Sequence, residues 1–286
     1  MRRVRDGGAG TNTRGYDAQL LSRGLDGGDM ENTEAIRAVS VTKSFGHIRA
    51  VRDMSIQVRP GEIRGLLGPN GSGKSTFMKI ILGILRPDAG SITVCDTDVR
   101  TRPIEARRLI GYVPETPRLY EYLTAAEYLD FIGSAYAMQP DVRRERVREL
   151  LHALQMEEHV NELMSGYSQG MRQKIALIAA LLHKPSVLIL DEPLNGLDPR
   201  SARIVKDLLN RLASEGVAVL FSTHVLEIAE AICHRVTIVN EGSVLATGTI
   251  QELRSMVGLS GSSLEDVFLR LTGGEDTAEV VEALRF

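Results

Sequence analysis

Apolar residues recur along this chain with two different periods, and the points where the period changes mark its elements. From Ile36 to Thr42, and from Val51 to Val58 where Met54, Ile56 and Val58 alternate with polar residues, the two-residue period predicts half-buried strands. Glu62 to Leu67 and Ser91 to Cys95 read as further strands. A helical period at Phe77, Ile80, Ile81 and Leu85 is broken by Arg86-Pro87-Asp88-Ala89-Gly90. Ile110 to Val113 is a short strand stopped by Pro114. From about residue 118 the pattern turns helical. Thr124-Ala125-Ala126-Glu127 is a capping box that opens a helix carrying Tyr128, Leu129, Phe131 and Ile132, and a second helix covers Val142 to Leu154. Ser168 is placed as the N-cap of a third, with Ile175, Ile178, Ala179 and Leu182 on one face. The mixed charges from Asp141 to Glu149 read as a solvated helix face.

Val187 to Leu190 is a continuous apolar run, the mark of a strand buried on both faces in a parallel sheet. Asp198-Pro199 opens a helix that Gly216 closes, and Val217 to Phe221 is the next buried strand. Arg235 to Asn240 and Ser243 to Thr247 form a hairpin around Glu241-Gly242, and two short helices end the chain. Residues 1–29 are glycine-rich without periodicity and are expected to be a disordered extension. Met30 stands just before the first strand-like sequence, so translation starting there is an alternative.

The candidate chemistry sits where strands end. Gly68-Pro69-Asn70-Gly71-Ser72-Gly73-Lys74-Ser75-Thr76 follows a strand, opens a helix and fits the phosphate-binding loop G-x-x-x-x-G-K-[ST]. Its glycines let backbone N–H groups approach phosphate oxygens at the positive end of the helix, Lys74 reaches the outer phosphates, and the Ser75 hydroxyl is placed for Mg²⁺. Asp191 and Glu192 end the buried run and place two acids at the lip of a strand, Glu192 on its exposed side. In enzymes with this loop, the first acid serves the Mg²⁺ site and a nearby polar group positions the attacking water. Three further residues have two readings each. Phe45 suits adenine stacking or the core, Glu115 suits the Mg²⁺ shell or the surface, and His224 suits the same crevice or an ordinary polar position.

Composition narrows the class. With 286 residues and 43% hydrophobic content the chain can bury a core, and a net charge of −3 argues against nucleic acid as partner. Only Cys95 and Cys233 are present, far apart in apolar contexts, so neither a disulfide framework nor a metal cluster is implied. No apolar run reaches the ~20 residues of a spanning helix. An Asn-Lys-x-Asp guanine motif is missing, which disfavours a GTPase.

Taken in order, Phe45, the phosphate loop, Glu115, Tyr167-Ser168-Gln169-Gly170-Met171, Asp191-Glu192, Asn195-Gly196-Leu197-Asp198 and His224 resemble the nucleotide-binding subunit of an ATP-binding cassette (ABC) transporter. The likeness spans residues 34 to 250. It implies the ABC ATPase fold: a P-loop α/β core with a mostly parallel sheet, an antiparallel β subdomain and a helical insert at about 118–182. The domain is then expected over 30–250, with 251–286 as a helical tail. It also implies Phe45 on adenine, Lys74 and the loop on the phosphates, Ser75 and Asp191 on Mg²⁺, Glu192 polarising the attacking water and His224 at the γ-phosphate. Ser168 and Gly170 would complete the ATP site of an opposite protomer in a head-to-tail homodimer or heterodimer, peripheral to the cytoplasmic face of the membrane through a separate permease subunit. Glu115 stands where the family usually has glutamine, and the signature departs from Leu-Ser-Gly-Gly-Gln while keeping Ser168 and Gly170. The run Ser263 to Thr272 resembles the tail of bacterial exporter ATPases and tilts the reading toward export. A non-transport ABC ATPase acting on a macromolecular complex is the alternative.

Overall fold

The computed structural model describes residues 34–258 and 262–272. The expected disordered extension and the alternative start at Met30 lie outside the described residues. The elements run β1 (Ile36–Phe45), β2 (Ile48–Val58), β3 (Ile63–Leu67), α1 (Lys74–Ile81), β4 (Ala89–Val94), β5 (Thr97–Asp98), α2 (Pro103–Arg108) and β6 (Ile110–Val113). There follow α3 (Ala125–Ala135), α4 (Pro140–Ala153), α5 (Gln169–Leu181), β7 (Val187–Asp191), α6 (Pro199–Ser214), β8 (Ala218–Thr223), α7 (Leu226–Ile232), β9 (Arg235–Asn240), β10 (Ser243–Gly248), α8 (Ile250–Met256) and α9 (Leu264–Thr272).

Two sheets result. A four-stranded antiparallel sheet has the order β2-β1-β4-β5, and a six-stranded sheet has the order β10-β9-β3-β8-β7-β6. In the second sheet the strands from β9 to β6 are parallel and β10 alone runs against its neighbour. Parallel strands covered on both faces lose the polar alternation, because side chains of both parities are buried. In β7 the odd and even residues go to different cores. Leu188 and Leu190 join a cluster with Leu129, Ile175, Ile178 and Phe221, whereas Val187 and Ile189 join one with Val41, Met54, Phe77 and Leu220. The first cluster ties the helical segment to the sheet, and the second ties the antiparallel sheet and α1 to its other face. A third gathers Leu67, Ile238, Leu253, Leu264 and Val267, so α8 and α9 pack on the domain with α7.

Several boundaries differ from the sequence reading. Helix α1 stops at Ile81, because Gly83 at φ 64 turns the chain, and Leu85 lies beyond the helix. Helices α2 and α7 carry too few turns to show a period and were missing from it. Helix α5 has no single apolar face. Ile175 to Leu182 are all buried, because α5 packs against β6 on one side and α3 and α4 on another. Where local chemistry decides, expectation and structure coincide. Thr124 and Glu127 form the capping box, Asp198 caps α6 ahead of Pro199, and Glu241 and Gly242 take φ 45 and 80 in the β9–β10 hairpin. Among the described residues no helix is long and apolar enough to cross a membrane.

Candidate nucleotide site

Strand β3 is buried along its whole length and delivers the chain from the middle of the six-stranded sheet into the loop 68–73. Two glycines are dictated by close approach. A Cβ on Gly68 would come 2.2 Å from the Val239 carbonyl oxygen, and one on Gly73, at φ 101, would come 2.3 Å from that of Ala50. Either would displace backbone, so the loop is seated between β9 and β2 only with glycine at both places. No side chain caps the start of α1, so its first N–H groups stay open to an acceptor from outside the protein.

Lys74 is buried, and its Nζ donates to the carbonyls of Gly68 at 2.7 Å and Pro69 at 3.1 Å. Burial pushes its pKa below the ordinary lysine value, and the carboxylates of Glu192, Asp191 and Glu115 pull it part of the way back. The loop from Asn70 to Thr76 lines a cleft of about 290 Å³ together with Ala50, Glu115, Asp191 and Glu192. The structure therefore brings the loop and all three acids to one place. Ser72 Oγ is buried there without a hydrogen-bond partner.

The acids arrive from β7 and its continuation. Asp191 is 4% exposed, and its Oδ1 accepts a hydrogen bond from Ser222 Oγ at 2.5 Å. Glu192 is 6% exposed, contrary to the exposed position expected from sequence, and its N–H is held by Ser222 at the end of β8. It holds φ 49, a left-handed conformation that costs a non-glycine residue about 1–3 kcal/mol. Its Oε1 lies 2.9 Å from His224 Nδ1; the carboxylate accepts, so Nδ1 carries the hydrogen. His224 is otherwise half exposed. Tyr112 on neighbouring β6 has its hydroxyl pushed up to about 12 by burial, with Asp191 and Glu115 adding to the rise.

Phe45, Ser168, Gly170 and His224 do not line this cleft, His224 reaching it only through Glu192. Phe45 ends β1, is half exposed, and has Lys43 Nζ 5.6 Å from its ring centroid. Ser168 caps α5 by accepting from Met171 N at 3.3 Å. Gly170 packs under the loop before α6, where a Cβ would lie 3.1 Å from the Gly196 carbonyl oxygen. Sequence reasoning missed Ser222. Ser222 precedes Thr223-His224 without any motif of its own, and only its pairing opposite Asp191 gives it meaning.

Comparison with known proteins agrees with this geometry. The ABC transporter family model matches residues 51–195. The ABC-type transporter ATP-binding protein EcsA of Bacillus subtilis is 36% identical over 232 residues, which is 81% of this chain and 94% of that protein. The Nod factor export ATP-binding protein I of Paraburkholderia xenovorans is 38% identical over 75% of this chain and 70% of its own length. Among solved structures, an ATP-binding subunit of an ABC transporter superposes with a TM-score of 0.80 at 33% identity, covering 83% of this chain and 99% of that one. A dimeric ATP-binding cassette in a post-hydrolysis state with ADP and Pi superposes at 0.70 with 27% identity, over 75% and 98%. A phosphate loop facing paired acids, in a fold shared with these cassettes, places the chain in the ABC transporter family as its ATP-binding, ATP-hydrolysing subunit.

Proposed function

We propose that the chain binds Mg-ATP in this cleft, hydrolyses it with Glu192 as general base, and so powers export through a separately encoded permease subunit. The observation that carries the reading is the meeting of Lys74, the glycine loop, Asp191 and Glu192 in one cleft. Lys74 brings a charge to the outer phosphates and is already aimed by the loop carbonyls it bonds. Glu192 takes the proton of the attacking water, while His224 holds its Oε1 and would meet the γ-phosphate. Phe45 offers a half-exposed ring to adenine from the sheet whose Ala50 lines the cleft.

The donor set suits Mg²⁺. Ser75, Asp191 and Glu115 are hard oxygen donors around a cleft with more acids than bases, and Ser72 Oγ is an unmet buried polar atom beside them. Among the described residues no cluster of His, Cys, Asp and Glu forms a metal cage, which agrees with an ion that relies on substrate phosphates and water for much of its shell. Ser75 and Asp191 would hold it, Asp191 through water, with Glu115 near. The ion would neutralise charge building on the phosphates.

Ser168 and Gly170 stand outside the chain's own cleft, which supports their use by a second subunit in a head-to-tail homodimer or heterodimer. The helix N-terminus they open would then face the γ-phosphate held by the partner. Export is supported by the name of the Nod factor relative. The subunit would lie at the cytoplasmic face of the membrane through its permease, with no nucleic acid involved. The test is co-expression with the polytopic membrane protein of the neighbouring reading frame, purification in detergent, and ATPase assay in proteoliposomes. Co-purification with stimulated hydrolysis is expected. A chain that hydrolyses ATP but never associates with a membrane subunit would overturn the transport reading.

A further inference from the structure

We propose that Ser222 is a positioning residue for hydrolysis, setting the side chain of one acid and the backbone of the other through a single hydroxyl. The inference rests on the roles proposed above for Asp191 and Glu192. Ser222 is fully buried near the end of β8, in register opposite Asp191. Its Oγ donates to Asp191 Oδ1 at 2.5 Å, and the same oxygen accepts from the Glu192 N–H at 3.2 Å. The Ser222 carbonyl accepts from that N–H as well, at 3.3 Å. A hydroxyl has one hydrogen and two lone pairs, so donation to the carboxylate leaves it free to accept from the amide.

Each bond has a consequence for the site. The one to Oδ1 fixes the Asp191 carboxylate and leaves Oδ2 to serve the metal shell, as outer-shell partners do for metal ligands. The one to the amide supports Glu192 at φ 49, and with it the aim of the carboxylate that His224 meets. A serine that merely satisfied its own hydroxyl would need one acceptor. This one is engaged on both sides by the two acids.

Ser222→Ala and Ser222→Thr in the full chain test the proposal. In Ser222→Ala, kcat is expected to fall and the Mg²⁺ concentration for half-maximal hydrolysis to rise, each by about 10- to 100-fold. Thermal stabilisation by ATP in EDTA should match wild type, while the extra stabilisation that Mg²⁺ brings is lost. Ser222→Thr keeps the hydroxyl and should restore kcat and the Mg²⁺ requirement. Wild-type kinetics and Mg²⁺ requirement in Ser222→Ala would overturn the proposal. So would a threonine variant as impaired as alanine with ATP stabilisation in EDTA lost in both, since that pattern marks packing. A wild-type chain indifferent to Mg²⁺ would instead remove the reading of Asp191 and this role with it.

Discussion

Helices α1 and α5 both start at a point that could face phosphate, yet the protein finishes the two starts differently. Helix α1 begins after Gly73, at φ 101, with no side chain spent on its first turn. Helix α5 begins after Ser168, whose hydroxyl accepts from Met171 N, as Thr124 does for Glu127 N at the start of α3. An uncapped helix start leaves donors unmet and is stable only if water or a ligand supplies acceptors, whereas a serine cap makes the start self-sufficient. The start of α1 lines the cleft with its N–H groups open, whereas the start of α5 lies outside it with its first turn capped. On the reading proposed above, α1 would meet the nucleotide of its own cleft and α5 would lend its N-terminus to a neighbour's.

The comparison breaks most sharply at Glu192. Glu192→Gln keeps the reach to His224 but cannot take a proton, so hydrolysis should fall by about 10²–10⁴ in a phosphate-release assay. Unhydrolysed ATP bound across two subunits should then join α1 of one copy to α5 of another, because a ligand shared by an interface stabilises it. Size exclusion should show a dimer with Mg-ATP and a monomer without, and adding Ser168→Arg should keep the protein monomeric. A Glu192→Gln protein that turns over ATP at the wild-type rate removes it as the base.

Lys74→Ala attacks the α1 side alone. Losing a charge-assisted contact worth about 1.5–3 kcal/mol should weaken ATP binding roughly 10- to 100-fold, measured by fluorescent-nucleotide titration, and abolish turnover. Unchanged hydrolysis would end the phosphate-loop reading. Ser168→Ala attacks the α5 side and should lower unfolding free energy by about 1 kcal/mol while ATP binding to the monomer stays as it was. Equal loss of nucleotide affinity in both variants would erase the contrast between the two helices.

The smallest effect lies just past the other end of α5. His183 stacks on Tyr136 at 3.8 Å, donates from Nε2 to the Ile110 carbonyl at 3.2 Å, and is held neutral by burial with its pKa lowered to about 4 from 6.5. The unfolded chain binds the proton more readily, so this residue makes stability fall as pH drops from 6.5 toward 4. His183→Gln should flatten that part of the denaturation-versus-pH curve. An identical slope in the variant would show that the ring does not stay neutral.

How much of this was legible before the structure follows from the range of the interactions involved. The phosphate loop, the capping box at Thr124, the Asp198-Pro199 start and the Glu241-Gly242 hairpin depend on residues within a few positions of each other, and their chemistry is written in order along the chain. The short helices α2 and α7 escaped because six or seven residues do not establish a period. The all-round burial of α5 escaped because it depends on what packs against both sides, and the helix's own residues suit a one-sided or a two-sided environment.

The sequence by itself determined the loop, the acids that end β7 and the alternation of strands and helices, since each follows from local sterics, caps or hydrophobic period. Only the tertiary structure decided that Glu192 is buried at a left-handed φ, that His224 meets its carboxylate, and that Ser222 serves both acids. Asp191 and Ser222 are 31 residues apart, and their bond exists because β7 and β8 pair in the one register that puts them opposite. Register is set by packing of the two faces against separate cores, and a shift of one residue would exchange those faces. That choice is made by the whole domain.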